Sequence, residues 1–373
     1  MKRVLIIGGY GQFGTLIAQK LAPDKNITLI LAGRSKEKAE ATAKNLQSAN
    51  PVEVLAADIH KNLQTVFETA KPDIVIHTAG PFQDQDYSVA KAAIKHKCHY
   101  IDLSDSRDFV TGITVLDKQA KAANILVCSG ASSVPALSSA VIEKYKTRFK
   151  KLEHLEYGIS TAQKTGMGLA TARAVMSYTG KPFKTLIDGE MKIAHGWQGL
   201  KYRRFSELGS RPLGYCDIPD LQLFPSLYPD LRTLEFRAGT ELSILHLGLW
   251  MLSWPVRWRM IKSLAPLADP LLRWAKTFDI FGTDRSGFYM ELEGKDKNNN
   301  RLIIVFELTA RQGHGLHIPA TPAPLLAGKL AAGQLNRTGA APCVGMVSLE
   351  ELLEALAPYH ISWKTDDPRL SAS

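Results

Sequence analysis

Cysteine is scarce in this sequence. Only Cys98, Cys128, Cys216 and Cys343 occur among 373 residues, and none forms a Cys-x-x-Cys pair. No His or Cys stands at metal-finger spacing, so no metal site is expected. A reduced, cytoplasmic interior fits four scattered thiols better than a disulfide framework does. Long apolar runs are also missing. Charge or proline interrupts every stretch before the roughly 20 residues that a spanning helix needs. Met1-Lys2-Arg3 runs straight into VLIIGG, which reads as a first strand and not as the apolar segment of a signal peptide. Internal repeats and low-complexity tracts are lacking too. Basic residues exceed acidic ones, 46 to 36, for a net charge of +10. They are spread along the chain and not gathered on one element, which argues against a nucleic-acid partner. The length predicts two domains.

Strand and helix patterns alternate through the first third. VLIIGG, ITLILAG (27–33), PVEVLAAD (51–58), DIVIHTAG (73–80), CHYIDLS and NILVCSG (124–130) read as buried strands. KEKAEATAKNLQ and SVAKAAIKH read as helices between them. This order implies an α/β fold with an N-terminal Rossmann domain, a doubly wound parallel sheet. The rhythm changes after about Ser133. A strand over 152–160, a helix ending at Gly180 and a Pro- and Gly-dense loop over 211–230 follow. Gly166-Met167-Gly168 reads as a helix-entry turn. SGFYMELEG and RLIIVFELTAR around KDKNNN predict a β-hairpin. Two helices close the chain, the second with Ser348 as N-cap and Glu351 three residues on. The expected division is 1–133 for the Rossmann domain, 134–318 for an α+β domain serving substrate and dimerisation, and 319–373 packing back on the first.

Gly9, Gly11 and Gly14 form G-x-G-x-x-G between the first strand and a helix, with Tyr10, Gln12 and Phe13 filling the loop. Gly9 is expected to permit the tight turn, Gly11 to let backbone approach a pyrophosphate, and Gly14 to let helix pack on strand. The helix N-terminus adds free N–H groups and partial positive charge. The second strand chooses the dinucleotide. A site for NAD usually ends that strand in Asp or Glu, whereas here it ends in Gly33-Arg34-Ser35. A guanidinium fork suits a 2′-phosphate, and Ser35 can donate to the same group. The expected cofactor is therefore NADP(H). Asp58 and Ile59, after strand three, are candidates for adenine. Ala79, Gly80, Pro81 and Phe82, after strand four, are candidates for the nicotinamide half.

Tyr87 and Lys91 have the Y-x-x-x-K spacing of a proton-donating pair, but they follow strand four too soon and read as helix neighbours. Strand five ends in HYIDLSD, whose alternation puts Tyr100, Asp102 and Ser104 on one face. Asp102 could relay a proton and Tyr100 donate one; a capping role for Asp102 stands equally open. Ser132 and Ser133, after strand six, are candidates for substrate. His314 and His317 fall on opposite faces of an expected strand. Trp250, Trp254 and Trp258 share one helical stripe, with Pro255 expected to kink or restart the helix. Arg257, Arg259 and Lys262 lie beside them. Two readings stay open for this stripe: internal or dimer packing, and peripheral contact with lipid or an acyl substrate.

GGYGQFG, AGR after strand two, HTAGPF, HYIDLSD and SGASSVPALSSAV together resemble the saccharopine dehydrogenase-like family of NADP-binding oxidoreductases, over Met1 to Val141. The resemblance implies a Rossmann half that binds NADP(H) and an inserted α/β domain that holds substrate and mediates a homodimer. It also implies hydride transfer to or from a C=N or C=C bond of a small molecule. Members act on amino acids and polyamines, and some relatives are linked to lipid metabolism, enoyl reduction included. Two alternatives accompany this expectation: a membrane-surface reductase of an acyl intermediate, and a non-catalytic NADP(H) sensor or scaffold.

Overall fold

The computed structural model describes residues 1–166 and 168–367. Met167 of the expected helix-entry turn lies outside them. The described residues form two compact units, Met1–Ser139 with His317–Leu352, and Ala140–Leu316 with those from Leu353 to Asp367.

In the first unit, β1 (Lys2–Ile7), β2 (Ile27–Gly33), β3 (Glu53–Ala56), β4 (Ile74–His77), β5 (His99–Asp102) and β6 (Leu126–Ser129) follow one another in the chain. Their order in the sheet is β6-β5-β4-β1-β2-β3, with Gly339–Pro342 added beside β6. Every pairing is parallel. Apolar residues point to both faces because helices cover both. Leu5, Ile7, Ile30, Val75 and Val127 share one buried cluster with Val66, Phe67, Val89 and Ala120 from the connections. Burying each large aliphatic side chain contributes about 1.5–3 kcal/mol. The chain reverses its direction of travel across the sheet between β1 and β4. Open α/β sheets bind ligands outside the strand C-termini at such a point. The helix α1 (Gln12–Leu21) follows β1, and α2 (Lys36–Lys44) follows β2. The tail helix Pro322–Ala331 is tied to α1 where Lys20 Nζ donates to Thr321 Oγ1 at 2.8 Å. Ser348 and Glu351 form the reciprocal capping box: each backbone N–H donates to the other's side chain, at 2.8 and 3.2 Å.

The second unit is built on a nine-stranded mixed sheet. Its central strand, Phe149–Thr161, runs parallel to Thr233–Thr240 and antiparallel to Ser286–Asp296. Ser286–Asp296 and Arg301–Ala310 make the hairpin with the Asn-rich turn. The Pro- and Gly-dense stretch is not a loop. It holds the strand Gly209–Tyr215 and the helix Asp220–Leu227, with Pro225 inside it. A second hairpin, Pro182–Ile187 with Glu190–His195, pairs with Thr233–Thr240. The tryptophan stretch is one helix, Ser243–Arg257, and Pro255 sits two residues before its end without restarting it. His314–His317 form a single 3-10 turn, so the expected strand is not there. Among the described residues no group of three or more His, Cys, Asp or Glu is placed to hold a metal.

Candidate functional site

The loop after β1 is shaped by close backbone contact. Gly8 has φ +85°, and a Cβ there would lie 2.7 Å from Thr78 Oγ1. The left-handed position of the turn is therefore Gly8, one residue before the glycine expected to carry it. Gly9 is confined differently, since its Cβ would come within 3.1 Å of Ile6 O and of the Leu31 side chain. Gly14 is the tightest: a Cβ would stand 2.2 Å from Gly8 O and 2.8 Å from Gly9 Cα. The first turn of α1 thus presses on the loop itself. Gly11 is the N-cap of α1, with no side-chain cap and no acidic residue in the first turn. The positive end of the helix is left without a carboxylate, which suits an anionic ligand.

Tyr10 lies across the end of β2. Its Cε1 would meet a Cβ on Gly33 at 2.3 Å, and its hydroxyl accepts from Ser35 N at 3.2 Å. Arg34 is exposed and has no ion-pair or hydrogen-bond partner among the described residues. Ser35 is differently placed. Its hydroxyl caps α2, accepting from Lys38 N at 3.3 Å, and donates to Glu37 Oε2 at 2.8 Å. Glu37 is held below the usual carboxylate range by a backbone hydrogen bond first and by Ser35 second.

Asp58 closes the turn after β3: its carboxylate accepts from His60 N at 3.0 Å, and its own N–H donates to Asn62 Oδ1 at 2.7 Å. Ile59 packs against the core. After β4, Thr78 Oγ1 donates to Ile7 O at 2.9 Å, joining this strand end to the glycine loop. Gln85 Nε2 reaches back to Ala79 O and Pro81 O at 2.7 and 2.8 Å, fixing the Ala79–Phe82 turn. Phe82 packs edge-on against His77, ring centroids 5.0 Å apart. The structure therefore gathers the turns after β1, β2 and β4. Thr78, Gln85 and Gly8 were missed from sequence; the Gly8-Gly9 doublet was the one available signal.

Tyr100 and Asp102 are both fully buried, at 0% exposure. Neither side chain reaches solvent. Asp102 Oδ1 instead accepts from Ser104 N, Ser129 Oγ and Gly130 N, each at 2.9 Å. Burial raises its carboxyl to about 6, against the opposing pull of those donors. The Tyr100 hydroxyl lies 3.2 Å from His77 Nδ1. Burial lowers His77 to about 3, leaving it neutral. The group braces the ends of β4, β5 and β6. Ser132 is half-buried and Ser133 buried beyond Gly130, whose φ is +82°. Tyr87 donates its hydroxyl proton to Phe109 O at 2.9 Å, so the Tyr87–Lys91 spacing serves packing.

Residues 4–148 match the family model of the saccharopine dehydrogenase NADP binding domain. They form a domain of that family, and NADP(H) is its dinucleotide. The match supports oxidoreductase chemistry. No curated protein matches the chain. Among solved structures, the chain is similar to apo saccharopine dehydrogenase (L-Glu forming) from Saccharomyces cerevisiae. The two share 14% identity and a TM-score of 0.68, over 98% of this chain and 100% of that one. It is also similar to an amine dehydrogenase from Mycobacterium smegmatis, with 11% identity and a TM-score of 0.50, over 92% and 95% of the two chains. At such identities the likeness is one of fold.

Proposed function

We propose that this protein, whose residues 4–148 match the saccharopine dehydrogenase NADP binding domain, is an NADP(H)-dependent oxidoreductase acting on a C=N or C=C bond of a small molecule. One observation carries the reading: an unpaired Arg34 at the end of β2, beside a glycine cradle that opens an uncapped helix. The loop from Gly8 to Gly14 would hold the pyrophosphate, Arg34 the 2′-phosphate, and the Ala79–Phe82 turn the nicotinamide half. NADP(H), when bound, supplies or accepts the hydride. The chain's own part is to bind and orient. The Gln85 staple keeps the Ala79–Phe82 turn in one conformation, and the buried His77–Tyr100–Asp102 group holds the strand ends beneath it. With Tyr100 buried, the proton that accompanies hydride comes from water or substrate.

Thermal-shift titration with NADPH and NADH tests this, since a ligand that binds only the native state raises its stability. Selective stabilisation by NADPH is expected, and equal shifts would overturn the specificity. NADPH oxidation across imine, amino-acid and enoyl substrates then identifies the bond. The same reading expects a homodimer, checked by sedimentation.

A second reading, action at a membrane surface, rests on exposed apolar residues. Trp258, Met260, Ile280 and Phe281 are 63%, 75%, 77% and 70% exposed, in a stretch that also carries Arg259, Lys262, Arg273 and Lys276. Aromatic and basic residues together suit an anionic headgroup region. No helix among the described residues is long and apolar enough to cross a membrane. Flotation with anionic liposomes, weakened by Trp258→Ala, is the expected result; no flotation of the parent protein removes this reading.

A further inference from the structure

The second unit carries a cavity of about 660 Å³ beside the tryptophan helix, within the size range of small-molecule sites. Ile193, Leu200, Trp250 and Trp254 form its apolar walls, and Gln198 and Arg257 its polar end. We propose that this cavity binds an anionic headgroup, a carboxylate by its geometry, carried on an apolar chain. None of its residues belongs to the first unit, so the inference stands apart from the cofactor reading.

The cation comes first. Arg257 has no carboxylate partner among the described residues. Its guanidinium is nonetheless held in place. Nη1 donates to Gln198 Oε1 at 2.7 Å, and the group lies 5.1 Å from the centre of the Trp254 ring. Gln198 is itself buried, and its Nε2 donates to Ser253 Oγ at 3.0 Å. Ser253 in turn donates to Trp250 O at 2.6 Å. A side-chain relay therefore runs from the helix backbone to the guanidinium and uses one of its five N–H donors. The remaining donors keep the planar fork that matches a carboxylate. His195 feels this uncompensated charge: burial lowers its imidazole, and Arg257 lowers it further.

The second observation is an unused donor. Trp254 Nε1 is buried without a hydrogen-bond partner among the described residues, a condition that destabilises the fold unless an acceptor meets it. The third is backbone strain. Trp197 has φ +65°, a left-handed conformation that is unfavourable for a bulky residue. It is held there because Trp197 N donates to Tyr215 O at 2.6 Å and Tyr215 N donates to Gln198 O at 2.7 Å. Gly199, also at φ +65°, follows because a Cβ would stand 2.2 Å from the Tyr215 ring. The loop is thus forced into the one path that sets Gln198 under Arg257. The walls supply the remainder of the specificity. Ile193 is 66% exposed and Leu200 38%, apolar surface that an alkyl chain would cover.

Calorimetric titration of the full chain with dodecanoate, kept below its micelle-forming concentration, tests the proposal. Binding of one dodecanoate per chain is expected. Dodecanol and butyrate should each bind at least about tenfold more weakly, the first lacking the charge and the second the chain. Arg257→Gln should weaken dodecanoate by about ten- to hundredfold, the range of a charged hydrogen bond. Gln198→Leu should weaken it less, with the guanidinium present but no longer oriented. Equal affinity for dodecanol and dodecanoate would overturn the proposal on the parent protein alone, however the variants fold. Unchanged affinity in a folded Arg257→Gln would overturn it too. Binding to phosphatidylglycerol vesicles without binding to monomeric dodecanoate would replace the cavity with a surface contact.

Discussion

The two units build their candidate sites from different materials. In the first unit the site is mostly backbone: a loop pressed against a helix, the helix's own N–H groups, and one free guanidinium. In the second it is mostly side chains, with Gln198 brought from 59 positions away to Arg257, which shares a helix with Trp254. A backbone site depends on what is absent at each position, since Gly14 serves by having no Cβ. A side-chain site depends on what neighbouring elements bring. The first is vulnerable to added atoms and the second to removed ones.

Adding an atom to the first site should give the largest effect. Gly14→Ala places a methyl group 2.2 Å from Gly8 O, a backbone atom that cannot step aside alone. NADPH affinity is expected to fall more than about a hundredfold, with a stability loss of about 1–3 kcal/mol from overpacking. Trp250→Ala, in the second unit, should leave NADPH binding unchanged. If Gly14→Ala binds NADPH within threefold of the parent by fluorescence titration, the loop is not a rigid cradle.

Arg34→Ala should come next. Losing an ionised donor to the 2′-phosphate is expected to weaken NADPH about ten- to hundredfold. NADH affinity, which has no 2′-phosphate to lose, should move less than threefold. Parallel losses for both nucleotides would assign Arg34 to adenine or to general charge.

How much could be read from sequence follows the same division. β2 appears at Ile27–Gly33 as the apolar run predicts, and the Ser348–Glu351 capping box forms as its spacing predicts. These are local signals, each complete within a few residues. G-x-G-x-x-G largely belongs with them, because Gly11 and Gly14 meet their own loop, although Gly9 also presses on Leu31 of β2. The Gly209–Tyr215 strand and the Asp220–Leu227 helix were hidden because Pro212, Pro219 and Pro225 punctuate them. Sheet pairing and helix packing override that punctuation. The Arg257–Gln198 bond spans 59 positions, and a left-handed tryptophan has no sequence signature. Tyr100 and Asp102 show another limit of a local pattern. Their alternation was visible, but the depth of β5 in the sheet, which seals them, was not.

The buried carboxyl gives a pH test of that sealing. Asp102 titrates near 6, above its ordinary 3.8. The folded state therefore holds this proton more tightly than the unfolded chain. The stability it contributes is complete below about pH 4 and is lost as pH rises through 6. Asp102→Asn removes the titration while keeping an acceptor for Ser129 and Gly130. Relative to the parent, the variant should gain on the order of 2 kcal/mol between pH 4 and pH 7. Chemical denaturation at both pH values measures the difference. A constant offset would mean that Asp102 ionises freely, and the sealed brace would be wrong.

The smallest effect separates two neighbours at the end of β2. Arg34 and Ser35 were both candidates for the 2′-phosphate, yet the structure leaves only Arg34 unengaged. The Ser35 hydroxyl already accepts from Lys38 N and donates to Glu37. Removing it should therefore act on helix α2 and not on the ligand. Ser35→Ala is expected to cost about 1 kcal/mol, the usual loss of an N-cap, with NADPH affinity within threefold of the parent. Glu37→Gln sharpens the contrast, because the Ser35 bond keeps a negative charge beside the phosphate position. Neutralising it should tighten NADPH a few-fold and leave NADH unchanged. If Ser35→Ala instead weakens NADPH as much as Arg34→Ala does, the hydroxyl turns from its cap to the ligand on binding. The phosphate would then be held by both residues.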